Sequence, residues 1–267
     1  MVVRGRELLL SAWGFSQTSA VEAQAMARER LARMVERVRG GEELPRGYAY
    51  GDRPLREEIL RELPGGDGEP AALVTRNRHG ALVLNAARAL FIDVDLPAAR
   101  RRGAVDWLLR RPKDDPAARV LERLRTALRG VAGASFRIYR TAAGFRVLAT
   151  DPPFDPDSPR VRQLFETTGA DPHFVRLCAA QQSFRARLTP KPHRCGVRRP
   201  PGSHPRETAA DASAFAEWLR GYETASARQA VCRLVETAGL GRVHEEIAPL
   251  LALHDAETKV GSDLPLA

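Results

Sequence analysis

The sequence predicts a mixed α+β fold: a small sheet of hairpins with helices packed on it, followed by a mainly helical C-terminal part. Three observations predict it. Short apolar runs of strand length crowd the stretch from Ala71 to Ala149, separated by turns rich in Gly, Asn and Arg. Apolar residues recur at helical spacing on both sides of that stretch. From about Arg160 onward the helical spacing dominates. A chain of 267 residues can bury a sizeable core in one large domain or two small ones.

In chain order, Glu7–Trp13 reads as a strand or short buried segment. Ser19-Ala20-Val21-Glu22 has the form of a capping box, in which hydroxyl and carboxylate satisfy the first free N–H groups of a helix. That helix runs to about Val38 and stops at Gly40-Gly41. Ala27, Leu31, Met34, Val35 and Val38 form its apolar stripe, which makes the methionines core residues. Gly47–Asp52 is expected to be a loop. Arg53–Leu60 is expected to start a short helix, with Pro54 in its first turn and Pro64–Gly68 closing it.

Three strands then follow, at Ala71–Thr75, Ala81–Asn85 and Ala89–Asp95, the first two joined as a hairpin through Arg76–Gly80. Asp115-Pro116 opens a helix through Val120, Leu121, Leu124 and Leu128 to Gly130. Ser135–Tyr139 and Phe145–Ala149 are strands joined by Arg140–Gly144. The Pro- and Asp-rich stretch Asp151–Pro159 divides the chain into an α/β core, residues 1–159, and a mainly helical part, residues 160–267, packed on the core. Helices are expected there at Arg160–Thr167, Pro172–Ala180, Ala212–Tyr222, Ala225–Ala238 and His244–Leu253. His193–Pro205 is the least regular part, either mobile or an arm that orders on binding.

Composition narrows the partner. The formal net charge is +9, a balance that attracts polyanions. Lys113, Lys191 and Lys259 are the only lysines, so the Arg usage points to a GC-rich genome and lowers the information in any single Arg. Coding bias does not create a positive excess, however. Eight basic residues (Arg176, Arg185, Arg187, Lys191, Arg194, Arg198, Arg199 and Arg206) stand against one acid, Asp171, between residues 171 and 206. That segment is either an anion-binding surface or a solvated face. No apolar run approaches the roughly 20 residues of a membrane span, and Leu8-Leu9-Leu10 is too short for a signal-peptide core, so the expectation is a cytoplasmic protein. Cys178, Cys195 and Cys232 form no disulfide framework. The spacing of Cys178, His193 and Cys195 fits no standard finger or ribbon, which argues against zinc. Serine-hydrolase, P-loop and dinucleotide motifs are absent.

The chemistry-bearing segment is Leu90-Phe91-Ile92-Asp93-Val94-Asp95. Strand alternation puts Asp93 and Asp95 on one face, where their repulsion is relieved by a cation such as Mg²⁺ or Mn²⁺, by an Arg, or by water. On the hairpin that follows, Arg137, Tyr139 and Arg140 set cations beside an aromatic ring, suited either to a nucleotide or single strand or to a plain charged outer face. Phe184–Leu188 alternates so that Arg185 and Arg187 share a face, as a phosphate grip requires, with Lys191 nearby. His254-Asp255 follows a run of apolar residues. As adjacent residues they are expected to cap a helix end rather than face each other.

The order of an hhhDhD strand, a helix, and a hairpin whose second strand opens Gly144-Phe145-Arg146 resembles the core of the archaeo-eukaryotic primase-polymerase superfamily over about 60 residues, Ala89 to Asp151. The resemblance implies an RRM-like or palm-like core, metal ligation by Asp93 and Asp95 as the catalytic acids, and a phosphate contact at Arg146, where the family has histidine. An arginine grips phosphate in bidentate fashion but carries no proton. The leading expectation is therefore a Mg²⁺- or Mn²⁺-dependent nucleotidyltransferase-like or primase-like protein acting on nucleotides or nucleic acid, with Arg146, Arg185 and Arg187 on phosphates. The alternatives are a non-catalytic nucleic-acid-binding protein and an interaction protein whose Arg-rich face meets an acidic partner.

Overall fold

Two antiparallel four-stranded sheets carry the fold, and both take one strand from the far end of the chain. The computed structural model describes residues 2–3, 6–7, 10, 20–40, 57–65, 70–97, 115–202, 204–206 and 208–267. The chain forms two compact units, Met1–Leu55 and Arg56–Ala267. In the first, strands β1 (Val2–Val3) and β2 (Arg6–Glu7) pair antiparallel, and helix α1 (Ala20–Arg39) buries Val38 while Leu31, Met34 and Val35 are half-buried. The stripe read from the sequence is the stripe observed. The expectations for residues 8–9, 11–13, 41–56 and 66–68 lie outside the described residues.

The second unit is mixed α+β, as the sequence predicts. Its first sheet has the order β3-β4-β5-β9, built from β3 (Glu58–Pro64), β4 (Pro70–Arg76), β5 (Leu82–Ala86) and β9 (Phe184–Arg187). The second has the order β10-β7-β8-β6, from β10 (Cys232–Gly239), β7 (Ser135–Thr141), β8 (Gly144–Asp151) and β6 (Phe91–Asp95). Helices α2 (Pro116–Arg129), α3 (Pro159–Thr168), α4 (Pro172–Gln181), α5 (Ala209–Ser226) and α6 (Ala248–Glu257) complete it. Four of these helices have side-chain N-caps, Asp115, Ser158, Asp171 and Thr208 each accepting from the first turn, with Pro next after the first three. One hydrophobic core joins the sheets, with Leu84, Ile92, Leu124, Ile138, Val147 and Phe184 fully enclosed.

Three expectations are corrected. Residues 58–60 are strand, not helix, because Ile59 and Glu62 pair with Thr75 and Leu73 and the ladder overrides a helix-compatible pattern. The expected helix at 225–238 ends at Ser226, and Cys232–Gly239 is an edge strand on β7 with only Cys232 buried, so its mixed polar pattern reflects one open face. A division at residue 159 would cut both sheets, since β9 pairs with β5 and β10 with β7.

The arm after β9 is held, not loose. The Tyr222 hydroxyl donates to the Pro190 carbonyl at 2.6 Å, and the Trp218 indole donates to the Arg198 carbonyl at 2.9 Å. Trp218 also stacks on Tyr222, ring centroids 5.1 Å apart. The β4–β5 turn rests against that indole: a Cβ on Gly80, whose φ is +86°, would lie 2.1 Å from a Trp218 ring carbon. Gly80→Ala should therefore destabilise the fold by about 2–5 kcal/mol, combining left-handed strain with overpacking. Gly133→Ala, at φ +74° with nothing within 4 Å of its Cβ, should cost only about 1–2 kcal/mol. Urea denaturation of the two variants checks the difference, and equal losses would rule out the Trp218 contact as its cause.

Candidate functional site

Close backbone approach sets the site's register. A Cβ on Gly144 would sit 1.9 Å from the Val94 carbonyl oxygen, so glycine lets the start of β8 pair with the end of β6. Two residues on, Arg146 falls opposite Asp93 on β6 and opposite Tyr139 on β7. Directly opposed residues share a face, and this face is the one covered by His254 of α6, whose ring lies 5.0 Å from that of Tyr139 and 5.4 Å from that of Phe91.

Arg146 is 2 % exposed, and its donors are all directed inward. Nε and Nη2 donate to the two Asp93 oxygens at 2.7 and 3.0 Å, a side-on bidentate pair. Nη1 donates to the Arg187 carbonyl on β9 at 2.8 Å and lies 3.5 Å from His254 Nε2 and 3.8 Å from Cys232 Sγ. One guanidinium thus links both sheets, β10 and α6. Burial opposes ionisation of Asp93, yet Arg146 holds its carboxyl below the usual range. Burial likewise opposes the charge on Arg146, and Asp93 outweighs it.

The network continues through His254, which is fully buried. Its Nδ1 is 2.9 Å from Asp255 Oδ1, and a carboxylate only accepts, so Nδ1 carries the proton. Nε2 is then a lone pair facing the Arg146 donor, the arrangement of a neutral imidazole. Burial lowers the His254 pKa, with Arg146 adding to the effect and Asp255 opposing it. Asp255 also accepts from Tyr139 at 2.9 Å and from Arg137 at 2.7 Å. Burial disfavours its charge, but His254, Tyr139 and Arg137 together hold its carboxyl below the usual range. The expectation that His254 and Asp255 would not face each other is corrected: the last turn of α6 turns both side chains toward β7.

Cys232, His254 and Asp255 stand in the order thiol, imidazole, carboxylate, with Sγ 3.9 Å from Nε2. Such a set activates a nucleophile only where substrate can reach it. Cys232 and His254 are both fully buried, and burial pushes the thiol up to about 11, so Cys232 stays protonated and enclosed.

The acids do not fit a divalent cation as folded. Both Asp93 oxygens are taken by Arg146, and among the described residues no three His, Cys, Asp or Glu side chains gather as a metal site. Asp95 is exposed. Desolvation and then the Asp171 and Asp93 carboxylates raise its pKa; Asp171 is brought close by its backbone N–H, which donates to the Asp93 carbonyl at 3.0 Å.

The expected phosphate ligands divide into two groups. Arg137 is paired with Asp255, and Arg146 with Asp93. Arg140 donates to the Thr141 and Gly144 carbonyls and lies over the Phe145 ring. Arg185 is held by Glu57 at 2.7 and 2.9 Å and by Gln181 at 2.7 Å. Arg187 and Lys191 are different: neither side chain has a hydrogen bond or ion pair among the described residues. Desolvation lowers the Arg187 pKa, Asp93 opposes it, and Arg146 and Arg194 lower it further. Lys191 is lowered by desolvation, then by Arg187 and Arg194.

Sequence reasoning did not single out His79, in the β4–β5 turn. The β4–β5 turn adjoins the arm after β9, the Leu82 N–H donating to the Thr189 hydroxyl at 2.8 Å and Val83 pairing with Arg187, and this forms a cationic ridge. Desolvation lowers the His79 pKa there, followed by the charges of Arg78, Arg199, Arg187 and Lys191. Neither did it find Glu57, the counter-ion of Arg185, because that acid fell in an expected helix. No protein-family model, no curated protein and no solved structure matches the chain.

Two outcomes follow for the buried network. Asp93→Ala should destabilise by about 3–5 kcal/mol, because Arg146 is left buried without its counter-ion. Pairing it with Arg146→Met should cost less than the two single losses together, by about 0.5–3 kcal/mol. A double-mutant cycle in urea reads the coupling, and strict additivity would refute it. The second outcome concerns pH. His254 has its folded pKa below the ordinary 6.5, so the unfolded chain takes up the proton first and stability falls as pH drops below about 6.5. Asp93 and Asp255, with folded values below the ordinary 3.8, add a second loss below that pH. Unfolding midpoints followed from pH 8 to pH 3 should show both steps; His254→Gln should reduce the first, and His254→Gln with His79→Gln should reduce it further, since the His79 pKa is also lowered.

Proposed function

We propose that this chain is a non-catalytic single-stranded nucleic-acid-binding protein whose ligand lays its phosphates along Arg187, Lys191 and Arg194 and the β4–β5 turn. The observation that carries this reading is the cationic ridge itself. Side chains from segments more than 100 residues apart are held close enough to depress one another's pKa, and among the described residues neither Arg187 nor Lys191 makes a side-chain ion pair, the nearby charges of Asp93 and Asp95 only partly offsetting the repulsion. An anion relieves that repulsion. The net charge of +9 and the resemblance of the Asp93-to-Arg146 region to a polynucleotide-handling core favour nucleic acid over a smaller anion.

The catalytic reading needs Arg146 to release Asp93 before Mg²⁺ or Mn²⁺ could bind there. The mutual repulsion of Asp95, Asp171 and Asp93 is the one observation on its side. A melting temperature raised by Mn²⁺ in the parent chain and not in Asp95→Asn would favour it.

Affinity for a fluorescent oligothymidine should fall steeply with salt, since each neutralised phosphate releases condensed counter-ion. Arg187→Gln with Lys191→Gln should weaken binding and lower the slope of log K against log salt by about 1–2. The same change at Arg137, which is paired internally, should leave the slope alone. Binding that ignores salt and the Arg187/Lys191 variant would overturn the proposal.

A further inference from the structure

The other face of the second sheet carries a groove unrelated to the cationic ridge. Helix α2 lies on that face, since Arg125 pairs at 2.7 Å with Glu236, which stands opposite Ile138 in the ladder, whereas Asp93, Arg146 and Tyr139 point toward α6. Helices α2 and α3 bound a groove of about 900 Å³. Its apolar floor is Leu164, which is buried, with half-buried Ala127 and Val131. Exposed Arg119, Arg123 and Arg160 flank that floor.

The cations mark both ends. Arg160 donates to the Ala132 carbonyl at 3.2 Å, just beyond the C-terminus of α2, while the Arg123 guanidinium lies flat against Gly169 at the C-terminus of α3. Glu122, the acid of the lining, is committed to Arg125 and Arg129 at 3.3 and 3.1 Å. Arg123 has no hydrogen bond or ion pair among the described residues. The groove is therefore positive along its rim and apolar along its floor.

We infer that this groove docks an acidic amphipathic helix of a partner protein. Most of the lining is exposed, so a small ligand seated there would remain largely wet, whereas small-molecule sites bury most of their ligand. A third helix laid along two others covers such a surface, with apolar residues at i, i+3, i+4 and i+7 on Leu164, Ala127 and Val131. Its flanking Glu or Asp side chains meet Arg123 and Arg160, which fixes orientation and selects against basic helices.

The probe is a fluorescein-labelled helical peptide of about 18 residues, with Leu at that spacing and Glu on both flanks, followed by anisotropy at physiological ionic strength with the full chain. Arg123→Glu with Arg160→Glu should weaken binding at least about tenfold, and Arg123→Gln with Arg160→Gln should weaken it less. The second pair serves as the test if the charge reversals do not fold. Arg187→Gln with Lys191→Gln should leave peptide affinity unchanged, and a peptide with Lys in place of Glu should not bind. No binding by the acidic peptide would overturn the inference. So would loss of binding on the Arg187/Lys191 change but not on the Arg123/Arg160 change, or binding of dodecyl phosphate in the groove when the peptide does not bind.

Discussion

The second unit depends on one buried guanidinium. Arg146 neutralises Asp93, supports the carbonyl of Arg187, faces the lone pair of His254 and lies against Cys232, so both sheets and α6 share one hub. A buried cation is tolerated only when fully paired, and this pairing is bidentate with a carboxylate whose charge burial would otherwise suppress. The remainder of the polar interior follows from that requirement. Neutral His254 needs Asp255 to fix its proton on Nδ1, and Asp255 in turn collects Tyr139 and Arg137. Each residue in this chain satisfies the one before it, ending at the half-exposed Asp255 and Arg137.

That hub changes the meaning of the acidic strand. Two carboxylates one residue apart on a strand face invite a metal ion when their neighbourhood is not known. Here the strand opposite supplies the counter-charge to Asp93 from within the sheet, leaving Asp95 to share the open edge with Asp171. The arginine at position 146, in the Gly144-Phe145-Arg146 segment, is the sequence feature that makes this possible. A histidine there would be shorter and titratable, and could not span from Asp93 to the Arg187 carbonyl in the same way.

Much of the fold was legible from local pattern. The β4–β5 and β7–β8 hairpins, the acidic strand, the Pro-capped helices α2, α3 and α4, and the stripe of α1 all lie where periodicity and caps place them. The edge strands β3 and β10 were not legible, because an edge strand with one open face mixes polar and apolar residues much as a surface helix does, and its identity is settled by a partner far away in sequence. The site was legible only in part for the same reason. Composition and alternation identified Asp93, Arg146, Arg185 and Arg187 as charged residues on strand faces. They could not show that Arg185 belongs to Glu57, 128 positions away, or that the Arg187 side chain makes no ion pair among the described residues. In a chain with so many arginines, which of them is engaged is a property of the tertiary structure alone.

Arg187 has a consequence of its own. Its backbone is fixed twice, by the ladder to Val83 and by the carbonyl bond from Arg146, while its side chain is desolvated, attracted by Asp93, repelled by Arg146 and Arg194, and makes no ion pair among the described residues. The native state thus carries at this position an electrostatic penalty that an uncharged residue of similar volume would not. Folding has already removed part of the water and chain freedom at this guanidinium, so the proposed binding of an anion would relax the protein rather than rearrange it.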